Sequence, residues 1–132
     1  MSLVQAIYER WQADPRLTAL IPPARVYSGR AAGDAVRPYA VIGEAPGAAA
    51  RHTTHVAIES VAIELTAWSD DPRLARALLD EWRRVFERQA FPAGGARCLL
   101  MQAEMARVIA PDDSGWQAAA RYRVLVERPA ES

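Results

Sequence analysis

From Val56 to Trp68 the chain alternates β-branched and aliphatic residues with polar ones, and after Ser69 and Asp70 it enters an Asp71-Pro72 helix start. Asp at the cap accepts a hydrogen bond from a free backbone N–H of the first turn, and Pro at the first helical position loses no bond there. The segment that follows places Leu74, Ala75, Leu78, Leu79, Trp82, Val85 and Phe86 on one stripe, opposite Arg73, Arg76, Asp80, Arg83, Arg84, Glu87 and Arg88. That periodicity predicts an amphipathic helix over 72–89. Asp80 and Arg84 stand at i,i+4 spacing, where a helix brings opposite charges together. Strand and helix are adjacent in the chain, so both contribute to one core.

The flanking segments complete the pattern. Leu3, Ile7 and Trp11 recur every fourth position, and Asp14 with Pro15 can open a second helical turn that Pro22-Pro23 ends. Arg25-Val26-Tyr27 and Pro38-Tyr39-Ala40-Val41-Ile42 read as strands. Residues Ala45 to Thr54, rich in Ala, Gly and Pro, read as a mobile hairpin loop. Phe91-Pro92-Ala93-Gly94-Gly95 ends the long helix. Two further alternating stretches, Leu99 to Met105 and Trp116 to Val126, flank a Pro111-Asp112-Asp113-Ser114-Gly115 turn, as in an antiparallel pair. The expected fold is α+β, a mixed and mostly antiparallel sheet of about five strands with one long amphipathic helix on one face and a short N-terminal helical segment. Residues 1–132 are expected to form a single domain.

Two features complicate the sheet. Val56 and Ile58 alternate on one face but Val61, Ile63 and Leu65 on the other. This points either to a β-bulge near Glu59-Ser60 or to a strand packed on its own core at one end and on a neighbour at the other. Apolar residues such as Leu125 also fall opposite the Trp116 face, and the long helix covers one face only. The N-terminal helices and a neighbouring subunit are the two candidates to cover the remainder.

At 132 residues and 51% hydrophobic, the chain can bury a core. Sixteen basic residues balance 16 acidic ones, so net charge calls for neither nucleic acid nor a membrane. All of the basic residues are Arg, whose planar fork suits protein interfaces. Cys98 is the sole cysteine, so packing rather than a disulfide holds the fold, as suits a reducing compartment. The N-terminus lacks a basic stretch followed by an apolar run, which points to a soluble, unexported chain.

Chemistry-bearing residues have structural explanations. His52-Thr53-Thr54-His55 offers two imidazoles in a loop, but no carboxylate or cysteine cluster nearby completes a metal site. Cys98, between Arg97 and Leu99, reads as a small buried hydrophobe. Asp70-Asp71 and Asp112-Asp113 sit where capping and turn formation already call for Asp. The glycines at 29–33 and 43–47 lack phosphate-cradle spacing. Arg83-Arg84, Arg121 and Arg123 are diluted by Asp80, Glu81, Glu87 and Glu127 and carry no interleaved stacking platforms for nucleic acid. Trp11, Trp68, Trp82 and Trp116 read as core first and as interface anchors second.

With this element order, the chain resembles the small tail-completion proteins of long-tailed bacteriophages, the tail-terminator or head-to-tail joining family. The residues that carry the likeness are Leu17 to Ile21, Arg25-Val26-Tyr27, Pro38 to Ile42, the strand into Trp68-Ser69, Leu74, Leu78, Leu79 and Trp82, and Arg121-Tyr122-Arg123-Val124-Leu125-Val126. The resemblance implies a virion structural protein and no enzyme, without catalytic residue, cofactor or metal. It implies a homo-oligomer, a hexameric ring, that caps the tail tube, joins it to the head-side connector protein and is assembled in the bacterial host cytoplasm. Specific nucleic-acid binding and membrane association are not expected. Arg51, His52, Arg121, Arg123 and Leu125 are the interface candidates. The alternative is a small α+β enzyme or ligand-binding domain with a pocket between the 72–89 helix and the sheet, for which Glu64 and Gln102 would supply polar groups.

Overall fold

A computed structural model describes residues 3–52, 56–93, 95–113 and 115–129. The chain opens with α1 (Leu3–Ala13) and α2 (Pro15–Leu20), then a single 3₁₀ turn at Pro23–Arg25 where the proline pair forbids further α-helix. Strands β1 (Val26–Ser28), β2 (Tyr39–His52) and β3 (Val56–Ser69) lead into α3 (Pro72–Phe86), followed by β4 (Phe91–Ala93), β5 (Ala96–Asp112) and β6 (Gly115–Pro129). The six strands form one mixed sheet in the order β1-β2-β3-β6-β5-β4, with β1 parallel to β2 and the other pairs antiparallel.

Both helix starts follow their sequence signals. Asp71 caps α3 by accepting from the Arg73 N–H at 2.9 Å, and Asp14 caps α2 by accepting from the N–H groups of Arg16 and Leu17. The end of α3 comes earlier than 89, because Glu87 leaves helical geometry and Arg88 takes a φ of 59°. The Arg88 N–H then donates to the Met101 carbonyl on β5, which turns the chain onto the sheet edge.

Side-chain parity divides the sheet into two unlike faces. Ile42, Ile63, Leu65, Met101, Tyr122, Val124 and Val126 point to one side and are buried. They form a single core with Ile7 and Trp11 of α1, Leu17 of α2, and Leu78, Trp82 and Phe86 of α3. Within it the Trp11 and Trp82 rings lie 6.0 Å apart at 59°, and the Trp11 indole N–H donates to the Ile21 carbonyl. All three helices therefore cover the same face. The N-terminal helices do not cover the second face of the sheet.

Several expectations need correction. The sheet has six strands rather than five, because Phe91–Ala93, read as a helix stop, pairs with Ala96–Cys98 as β4. The expected hairpin loop at 45–54 is strand as far as His52, since β2 continues alongside β3 with Ala49 opposite Ser60 and His52 opposite Ala57; Thr53 and Thr54 lie outside the described residues. Ladder formation with β3 overrides the poor strand propensity of Ala, Gly and Pro. No bulge lies in β3 near Glu59-Ser60, for its register with β6 runs unbroken from Val56 to Ser69. The irregularity falls on β2 between Ala45 and Ala49, where Pro46 cannot donate to the ladder. Arg84 pairs with Asp14 and Glu81 instead of Asp80.

The Arg84–Asp14 pair ties α2 to α3 through two contacts of 2.7 and 2.9 Å. Desolvation works to raise the Asp14 pKa, but the hydrogen bonds from Arg84 and from the α2 backbone outweigh it and hold the carboxyl below its ordinary value. Its contribution is therefore complete above the unfolded carboxylate value of about 3.9 and is lost as pH falls through the lower folded one. Asp14→Ala is expected to cost about 0.5–2 kcal/mol as a lost cap. The melting-temperature gap between wild type and Asp14→Asn should hold at neutral pH and close below about pH 4.

Candidate assembly surface

The face of the sheet turned away from the helices carries residues of the opposite parity. Trp68 lies there, stacked on its β2 partner Tyr39 at 4.9 Å and 22°, with Tyr27 of β1 edge-on to Tyr39 at 6.2 Å. Val41, Ile58, Leu100, Leu125 and Ile109 share this face and are half-buried. At its centre is a ladder of charges running across β3, β6 and β5. Arg121 reaches Glu64 at 3.4 Å and Glu104 at 3.7 Å, and Arg123 reaches Glu104 at 3.4 Å. These side chains remain 37–61% exposed, so each pair is worth little in isolation. Among the described residues no element of the chain lies over this face.

The interface candidates are thereby placed. Arg121, Arg123 and Leu125 alternate along the bare side of β6, as the strand period requires. Arg51 and His52 lie apart from them at the end of β2, opposite Ile58 and Ala57. Trp68, read as core first and interface anchor second, stands half-buried outside the core, and its cluster with Tyr27 and Tyr39 was not foreseen. Its signal was the parity of Trp68, opposite to that of Ile63 and Leu65.

Beside this face, residues 35–37 form a shallow open depression with Tyr39, Asp70 and Asp113. Arg37 fastens it by pairing with Asp70 at 3.1 Å and donating to the Asp113 carbonyl at 3.2 Å. Asp70 is thus an ion-pair partner, and Asp71 a cap. Between α3 and the sheet the core is filled by Leu78, Trp82, Phe86, Met101 and Tyr122, and an open groove at the start of α3, lined by Pro72, Arg73, Arg76, Ala77, Asp80, Val108 and Trp116, includes neither Glu64 nor Gln102. Glu64 and Gln102 lie on the opposite face, between buried neighbours of the other parity. Burial pushes the Cys98 thiol up from its ordinary value, which disfavours the nucleophilic thiolate. Burial likewise raises the Tyr122 phenol. His55 lies outside the described residues, and among the described residues no three His, Cys, Asp or Glu side chains gather as metal ligands.

Comparison with known proteins assigns this architecture. The family described as tail completion protein gp17 matches residues 5–127. The chain belongs to that family. It is a structural component of the virion tail, a setting that brings it into association with other tail proteins. No curated protein matches. Among solved structures, a chain from the virion of a native gene transfer agent particle shares the fold, with a TM-score of 0.75 and 18% identity over 96% of this chain and 95% of that one. No described helix of this tail completion protein is long and apolar enough to cross a membrane.

Proposed function

We propose that this tail completion protein is a ring-forming subunit, a hexamer, that caps the head-proximal end of the tail tube and joins it to the head-side connector protein. Such a ring ends tube polymerisation and offers the connector a new surface. The observation that carries the reading is the one-sided fold. Three helices cover one face of the sheet, while the other presents half-buried aromatic and aliphatic residues around a charge ladder. An uncovered surface of mixed aromatic and Arg character fits assembly contacts, in which such residues are enriched. Arg121, Arg123 and Leu125 are its central contact residues, with Arg51 and His52 contributing from the end of β2.

The test is tube assembly. Purified tail-tube subunits polymerised with the protein present should give shorter tubes bearing a ring at one end, and Leu125→Asp should weaken that effect. Tubes of unchanged length and bare ends would contradict the reading.

A further inference from the structure

The sheet has two outer edges, and each is capped over a few residues at one end. β1 covers β2 along Ala40–Ile42, and β4 covers β5 along Ala96–Cys98. Beyond those caps, among the described residues, no strand pairs with the outer edge of β2 over 43–52 or with that of β5 over 102–112, the Met101 carbonyl being already taken by the Arg88 N–H. Unpaired edges of this length offer free N–H and C=O groups to any strand that approaches. Charged residues commonly guard such edges, yet β2 carries none from Ala45 to Ala50.

The two edges complement one another. Three successive antiparallel pairings, β2 with β3, β3 with β6 and β6 with β5, make β2 and β5 run in opposite directions. Following register across the sheet, Ile42 is level with Leu65, Ala120 and Ala106, whereas Ala50 is level with Glu59, Val126 and Cys98. β1 therefore blocks the β2 edge at the level where β5 is open, and β4 blocks the β5 edge at the level where β2 is open. A copy placed alongside another by rotation about a ring axis presents its β5 antiparallel to the neighbour's β2. Sliding it along the strands brings the two open stretches together and clears both caps.

We propose that the ring closes by strand pairing, the β2 edge of one subunit (43–52) adding antiparallel to the β5 edge of a second copy (102–112). This deepens the ring reading above and rests on it. The contact is heterologous, so it repeats in one rotational sense until it closes. Closing a sheet on itself requires stagger and bent strands, and the register shifts in β2 (Ala45/Ala49) and β5 (Cys98/Leu100, Ala103/Met105 and Ile109/Asp112) supply bends in both partners. The helices then stay together on one side of the closed sheet and the bare face on the other.

Cysteine cross-linking of the full chain tests it. Ala50→Cys is combined in turn with Gln102→Cys, Glu104→Cys, Met105→Cys and Ala106→Cys; the native Cys98 is fully buried and stays silent. On mild oxidation, doubly substituted chains are expected to give a ladder of oligomers ending at the ring, with one of the four pairings linking best. Each single variant should stop at dimer or below. In wild-type rings, hydrogen exchange should slow over 43–52 and 102–112 relative to the diluted monomer, a readout that needs no substitution. Rings visible by electron microscopy without linkage in any double variant and without protection at these edges would overturn the strand pairing and leave the ring reading standing. A chain that forms no ring, alone or on tube ends, would remove both.

Discussion

Replacing Trp82 with alanine is expected to remove about 3–5 kcal/mol of stability, the usual cost of deleting a large buried aromatic side chain. Trp82 is fully buried on α3, packs against Trp11 of α1, and stands in the core that α3 shares with the sheet. A loss of that size is a large share of the about 5–15 kcal/mol that holds a typical domain. Urea unfolding, read by the fluorescence of the remaining tryptophans, should show a lower midpoint. Trp82→Phe should cost clearly less. It keeps an aromatic ring against Trp11 and discards a buried indole N–H that has no hydrogen-bond partner, an arrangement that costs about 1–3 kcal/mol. Equal damage from both substitutions would mean that the N–H is satisfied.

Gly115→Ala is expected to be the most damaging alanine substitution among the described glycines 29, 33, 43, 95 and 115, about 2–4 kcal/mol, because two costs coincide. Gly115 opens β6 with a φ of 86°, a left-handed conformation that side chains rarely adopt. A Cβ there would also stand 2.7 Å from the Ser69 carbonyl and 3.0 Å from Nη1 of Arg37. The Arg37 side chain can move, but the Ser69 carbonyl belongs to the last residue of β3, which pairs in register with Trp116. Relief of the clash therefore pries β6 from β3 just before α3 begins. Thermal unfolding should register the loss, and Gly33→Ala, where a Cβ meets nothing within 4 Å, is the control expected to stay near wild type.

How much of this was readable in advance follows from how local each signal is. The β3-to-α3 junction was legible because parity, cap and stripe all fall within one stretch, from Val61 through Asp71 to Phe86. The β5–β6 hairpin was legible for the same reason. β4 was not, because a three-residue strand such as Phe91–Ala93 has no period to detect and forms only because β5 lies beside it. The outer half of β2 was missed because Ala45 to Ala50 has loop composition, and its pairing depends on β3, which comes later in the chain. Arg84 went to Asp14 rather than Asp80 because a contact between residues 70 apart leaves no trace in helical spacing. For the assembly surface, Arg121, Arg123 and Leu125 could be placed on one side of β6 from alternation alone. That the N-terminal helices leave this side bare depends on tertiary packing.

In the proposed ring, a one-sided α+β subunit completes itself by assembling. Light scattering on the purified chain over a range of concentrations, alone and with tail-tube subunits, tests this most directly. A closed species near six times the 14.5 kDa chain mass is expected, either free or on tube ends. A chain that stays at 14.5 kDa throughout and binds no tail-tube subunit would contradict it.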